Sequence, residues 1–246
     1  MRFIVVKQFL MIRRVVSIIV TMSGGVGSGK TISAVRQAIV EAEKNPVLTN
    51  FKIFKLKNYY RLKKGDVLVE KRNEKGKLEG YDINWDWWEG RKNSDIFLDE
   101  IQNLISSRNS MSKTSQKYSE FFAQIRKIWG QSGDQNYLDI LRKMGNNMFH
   151  KHHQAIYARS NNIFFITQKP RKIDCNIRDI THVHIQCSKQ NIRGVPIIFQ
   201  DHYLGNDQVS GIEMMEFGEK PKRTYFDPRP FFNRYDSYEI VRGEYL

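Results

Sequence analysis

Apolar residues along this chain cluster into short, nearly unbroken runs. Val15, Val16, Ile18, Ile19 and Val20 form one, Ile96-Phe97-Leu98 a second, Ile163-Phe164-Phe165-Ile166 a third, and a fourth runs from 195 to 200. Their length and β-branched content predict buried strands. Ile32, Val35, Ala38, Ile39 and Ala42 instead recur at three- and four-residue spacing, predicting an amphipathic helix that ends near Lys44-Asn45-Pro46. Between them, residues 66–70 and 78–83 flank the turn Asn73-Glu74-Lys75-Gly76-Lys77 and read as a β-hairpin. A further helix is expected over 121–129, and a basic helical face over 142–153.

The N-terminal segment is greasy, but Lys7, Arg13 and Arg14 interrupt it, and its longest apolar stretch, 15–22, is eight residues long. A membrane-spanning helix needs about 20. The expectation is a chain with no integral membrane segment, soluble or peripheral. At 246 residues with 40% hydrophobic and 27% charged residues, the composition is that of a globular protein, which excludes disordered and collagen-like classes. Lys and Arg total 40 against 26 acidic residues, a net charge of +14. A surplus of that size points to a polyanionic partner, nucleic acid or an anionic membrane surface. Two cysteines, Cys175 and Cys187, make no disulfide framework.

The first strand leads into Ser23-Gly24-Gly25-Val26-Gly27-Ser28-Gly29-Lys30-Thr31. Gly24, Gly29, Lys30 and Thr31 satisfy the phosphate-loop pattern, and strand before and helix after give it the required context. Glycines let the backbone curl around an anion, and the helix N-terminus adds partial positive charge behind it. Residues 24–31 are therefore the expected nucleotide cradle, with Lys30 reaching the β- and γ-phosphates and the Thr31 hydroxyl on Mg²⁺.

The second run ends in Asp99-Glu100. At the C-terminal edge of a parallel sheet, Asp99 is placed to hold the Mg²⁺ shell with Thr31, and Glu100 to polarise an attacking water. The third run ends in Thr167-Gln168; if its strand lies between the other two, the Gln168 amide faces the γ-phosphate, a simple cap of the strand end being the alternative.

The words SGGVGSGKT, IFLDEIQNLISSR and IFFITQKPRKIDCNIRD, in this order, resemble the FtsK–HerA superfamily of pumping ATPases. Within it they are most similar to the genome-packaging ATPases of membrane-containing viruses and to the zonula occludens toxin-like proteins of filamentous phages, whose aromatic ends FDPRPFFNRYDSYE also resembles. The resemblance implies an α/β, RecA-like ASCE core with a central, mainly parallel sheet flanked by helices, ATP hydrolysis with Mg²⁺, DNA as cargo, and a homo-oligomeric ring, expected to be a hexamer. The corresponding layout is an N-terminal extension (1–14), an ATPase core (15–200) with an insertion at about 56–92, and a C-terminal extension (201–246) laid on the core or on a neighbour. Ring motors of this kind complete each site with an arginine from the next subunit; Arg159 is the leading candidate, ahead of Arg178, Arg126 and Arg108.

Other segments carry charge or aromatics without a motif. Residues 55–77 hold nine basic and three acidic side chains, suited either to phosphate contacts or to a solvated face. Trp85, Trp87 and Trp88 fit the edge of a core better than base stacking. The polar run 106–117, with Lys113 and Lys117, reads as a loop. His150, His152 and His153 lack the accompanying ligands of a zinc site.

The first functional expectation is a DNA-translocating viral packaging motor, found in the host cytoplasm or with the virion and touching capsid or envelope proteins. A DNA-export ATPase of the zonula occludens toxin type is the alternative; such proteins usually carry a C-terminal membrane segment, which this sequence does not show. A non-hydrolysing nucleotide-binding module is the third.

Overall fold

The computed structural model describes residues 18–63, 65–91, 94–105, 112–129, 162–173, 178, 180–204 and 222–236. The expected extension at 1–14, the helical face at 142–153, and Arg108, Arg159 and Cys175 lie outside the described residues.

Strand β1 (Ile18–Ser23) is buried along its whole length, as the β-branched run predicts. Helix α1 (Lys30–Glu41) follows the glycine-rich turn, then β2 (Val47–Thr49) and β3 (Tyr59–Arg61). A hairpin of β4 (Leu68–Arg72) and β5 (Leu78–Ile83) forms a separate two-stranded sheet and leads into the short helix α2 (Trp85–Glu89). Then come β6 (Asp95–Leu98), α3 (Lys113–Trp129), β7 (Asn162–Thr167), the long pair β8 (Val183–Ile192) and β9 (Val195–Leu204), and β10 (Lys222–Phe226).

Eight strands form one sheet in the order β10-β9-β8-β1-β7-β6-β2-β3. From β8 to β3 every neighbour is parallel, and β9 and β10 add an antiparallel edge. Because side chains alternate along a strand, each strand feeds two layers. Val20, Met22, Phe97, Phe164 and Ile166 pack with Ala34, Val35 and Ala38 of α1. Ile19, Ile96, Leu98, Ile163 and Phe165 pack on the other face with Phe121, Phe122 and Ile125 of α3. Stacked rings of Phe97 and Phe164, 4.2 Å between centroids, cross from β6 to β7. This is a RecA-like α/β P-loop fold, with β7 between β1 and β6, where Gln168 was expected to need it.

The structure differs from the sequence reading in two places. The run at 106–117 is not loop to its end: α3 begins at Lys113, so Lys113 and Lys117 stand on a helix. Its start signal is Ser112, whose hydroxyl accepts the Ser115 N–H at 3.1 Å, ahead of Tyr118, Phe121, Phe122 and Ile125 at helical spacing. The boundary at residue 200 falls inside β9, which runs to Leu204, and β10 of the presumed extension pairs with β9 in the main sheet. A 3₁₀ turn at Arg229–Arg234 then brings Phe231 and Tyr235 against Ile32, Ile198 and Phe226. The tryptophans pack at the edge of the core, as the sequence reading favoured: Trp88 is buried 4.6 Å from the ring of Phe121, and Arg91 covers Trp87 at 3.7 Å.

Candidate nucleotide site

The turn from β1 to α1 takes left-handed backbone at Gly27 and Gly29, with φ of 75° and 89°. Gly24 and Gly29 are also required by space. A Cβ at Gly24 would lie 2.6 Å from the carbonyl oxygen of Cys187, and one at Gly29 would collide with the Ile198 side chain. The cradle is thus backed by β8 and β9, which press on its outer side. The Ser28 hydroxyl is buried with no hydrogen-bond partner among the described residues, while Val26 at the crest is 88% exposed. The free N–H groups of the first turn of α1 open into this cradle. A loop kept free of Cβ atoms, with an orphaned hydroxyl and a helix N-terminus behind it, fits a phosphate chain.

The ends of β1, β6 and β7 bring the acidic and amide side chains to the same edge. Thr31 Oγ1 donates to Asp99 Oδ2 at 2.7 Å, and Lys30 Nζ lies 3.8 Å from Glu100 Oε1. Gln168 Nε2 donates to Glu100 Oε1 at 3.4 Å. Burial pushes the Asp99 carboxyl up to about 6; the Thr31 hydroxyl and Lys30 pull it back, while Glu100 repels it. A buried carboxylate with a threonine hydroxyl on one oxygen is short of positive charge, and a hard cation between Thr31 and Asp99 would supply it. These two residues therefore fit Mg²⁺.

Two residues that sequence reasoning passed over, Asn50 and Gln102, organise this edge. Asn50, just past β2, accepts the Asp99 N–H at 2.8 Å and donates to the Asp99 carbonyl at 2.9 Å, holding the end of β6 at both backbone groups. Gln102 donates to Glu100 and accepts the Thr167 hydroxyl at 2.7 Å, tying the acidic turn to β7. Glu100 itself has φ of 50°, an uncommon conformation for a non-glycine residue. His184 of β8 hydrogen-bonds Ser23, the last residue before the loop, at 2.7 Å; burial drives its pKa down to about 4, so the ring is neutral. A polar residue ending a short strand, such as Asn50 in Val47-Leu48-Thr49-Asn50, was the one available signal.

Of the arginine candidates, Arg178 is half-buried and its Nε lacks a hydrogen bond among the described residues. Arg126 falls on α3, and Arg108 and Arg159 are outside the described residues. Cys187 is a buried free thiol. Among the described residues no helix is long and apolar enough to cross a membrane.

The family described as zonular occludens toxin (Zot) matches residues 18–238. The chain belongs to the Zot family. The match runs from β1 past β10, so it takes in the cradle, both site strands and the antiparallel edge. Among solved structures, the N-terminal domain of zonular occludens toxin from Neisseria meningitidis is similar at a TM-score of 0.51 and 16% identity, covering 90% of this chain and 100% of that one; it supports the fold. The genome packaging NTPase B204 from Sulfolobus turreted icosahedral virus 2, in complex with ATP-gammaS, aligns at 9% identity over 69% of this chain and 74% of its own, with a TM-score of 0.33, too low to carry an argument. Curated protein sequences provide no match.

Proposed function

We propose that this Zot-family chain is an ATPase that couples hydrolysis to moving DNA, working in phage DNA export rather than capsid filling. The observation that carries the reading is the convergence of Lys30, Thr31, Asp99, Glu100 and Gln168 on one sheet edge, each within 4 Å of another. The family match shifts the balance from packaging to export, and the net charge of +14 supports a polyanionic cargo.

In this reading the backbone of residues 24–29 and Lys30 bind the triphosphate. Thr31 and Asp99 hold Mg²⁺, which would neutralise charge on the phosphates when bound. Glu100 takes a proton from the attacking water, and Gln168, on the same carboxylate, orients that water against the γ-phosphate. Asn50 and Gln102 fix where the two acids stand. Arg159, or another arginine from a ring neighbour, remains the expected transition-state cation, and a homo-oligomeric ring the expected assembly.

Glu100→Gln tests the reading. Loss of the base should lower DNA-stimulated turnover by about a hundredfold or more while ATP binding survives. Glu100→Gln with full turnover, or wild-type protein inert with and without DNA, would favour the binding-module reading instead.

A further inference from the structure

The β8–β9 hairpin outruns the sheet it belongs to. Strand β1 ends at Ser23, opposite Gln186, whereas β8 continues to Ile192. Six residues at about 3.3 Å each carry it roughly 20 Å past the end of β1, on the edge where the phosphate loop lies. On the other side β10 reaches only to Ile198, the partner of Phe226. The pairs Gln190–Ile197, Asn191–Pro196 and Ile192–Val195 therefore have neither β1 nor β10 beside them.

Beyond the sheet the ribbon keeps only its own two-stranded pairing, which by itself adds little stability in water. Residues 189–194 are exposed, Ile192 by 45%, with Val195 and Ile197 half-exposed beside it. The tip is a two-residue turn with φ of 51° at Arg193 and 80° at Gly194. Such turns favour Asn or Gly at the first position, so an arginine there is held against backbone preference. Among the described residues the side chains of Lys189 and Arg193 have no hydrogen bond or ion pair, in contrast to Arg223 lower on the same sheet, which is bidentate to Asp201.

We infer that this arm docks on a second copy of the chain, against the crest of its phosphate loop, and delivers Arg193 with Lys189 to the nucleotide bound there. The inference rests on the ATPase reading for its nucleotide and names the partner of that site. Two features select this occupant. The cradle crest presents Val26, 88% exposed, an apolar counterpart for Ile192. The cradle's described ion pair brings Lys30 to a cluster holding two carboxylates, so a triphosphate at the moment of cleavage needs positive charge from elsewhere. Nucleic acid is the less suited occupant, because the ribbon tip offers aliphatic residues where stacking would want aromatic ones. Root and tip also belong together mechanically. Cys187 and Ile198, at the base of the ribbon, pack on Gly24 and Gly29, so a displacement of the arm by the neighbour is felt at the chain's own cradle.

Two measurements on the full chain test this. In a Cys175→Ser background, protein carrying Arg193→Cys is mixed with protein carrying Val26→Cys and treated with a short bis-maleimide; Cys187 is buried and stays out of the reaction. A heterodimeric adduct formed only in the mixture is expected, and its absence from assembled protein overturns the docking whether or not the chain hydrolyses ATP. Second, Arg193→Ala should bind ATP normally yet lose turnover about a hundredfold or more. Mixing it with Lys30→Ala, inactive for the opposite reason, should restore a measurable fraction, since each partner supplies what the other lacks. Turnover of Arg193→Ala within about twofold of wild type, or no recovery on mixing, overturns the delivery in trans. Loss of DNA affinity with the adduct also missing assigns the arm to nucleic acid and overturns the proposal. Formation of the adduct by the cysteine variants, beside wild-type protein that never hydrolyses ATP, would sink the ATPase reading alone.

Discussion

Asp95 and Asp99 sit at the two ends of one short strand, and their immediate chemistry is nearly the same. Both are buried, and burial raises both, Asp95 to about 7 and Asp99 to about 6. Each has a second acid repelling it, Glu41 in one case and Glu100 in the other. Asp95 is closed in by neutral donors, the Asn162 N–H at 2.6 Å and the Asn45 amide at 3.0 Å. Asp99 faces a threonine hydroxyl, a lysine and a glycine cradle. A buried, perturbed carboxylate is therefore not a site in itself. The direction of the parallel strands makes the difference, because their C-terminal ends meet the glycine-rich loop and the helix N-terminus, whose free N–H groups suit an anion, and their N-terminal ends do not.

The same substitution at both ends should separate the two roles. The largest effect belongs to Asp99→Asn, which should cut turnover about a hundredfold or more with little loss of stability, since Asn50 still grips the backbone there. Steady-state kinetics beside thermal unfolding would show it; equal loss at Asp95→Asn would erase the distinction.

Next in size is Asp95→Ala. It leaves the Asn162 N–H and the Asn45 amide buried without their acceptor and should cost about 2 kcal/mol in urea unfolding, with the turnover of the folded fraction unchanged.

Asp95→Asn sharpens the comparison through pH. The folded-state pKa of about 7 lies above the unfolded value of about 4, so the unfolded chain gives up its proton first. Stability from this group is fully present below pH 4 and lost as pH rises toward 7. The uncharged variant should therefore gain more over wild type at pH 8 than at pH 5, and a gap independent of pH would contradict the assignment.

The smallest effect is expected at His184, where the sign reverses. Its pKa of about 4 lies below the unfolded value near 6.5, so stability is lost as pH falls through that interval. His184→Gln should lessen that acid-side loss, read as a shallower fall in melting temperature between pH 6.5 and pH 4.5.

What could be read before any coordinates depended on local rules. The cradle was legible because glycine, lysine and threonine at fixed spacing answer to backbone sterics and phosphate charge. The buried strands were legible because β-branched and aromatic runs have few other uses in a globular chain. The start of α3 was missed although its signal was local, since Ser112 looked like one more serine in a polar run until Tyr118, Phe121, Phe122 and Ile125 were seen sharing a face. The extent of the sheet was not local at all. Whether 222–226 leaves the core or closes its edge depends on pairing with 198–202, a contact the intervening sequence does not announce.

The sequence by itself determined that a glycine-rich turn, an acid pair and an amide stand at the ends of strands, because each of these is encoded within a few neighbouring residues. Only the tertiary structure decided that β7 lies between the other two site strands, that Asn50 and Gln102 brace the acids, and that a ribbon rises past the phosphate loop. Those arrangements are chosen by packing and hydrogen bonding between segments up to a hundred or more residues apart along the chain, and a short stretch of sequence holds only one side of each such contact.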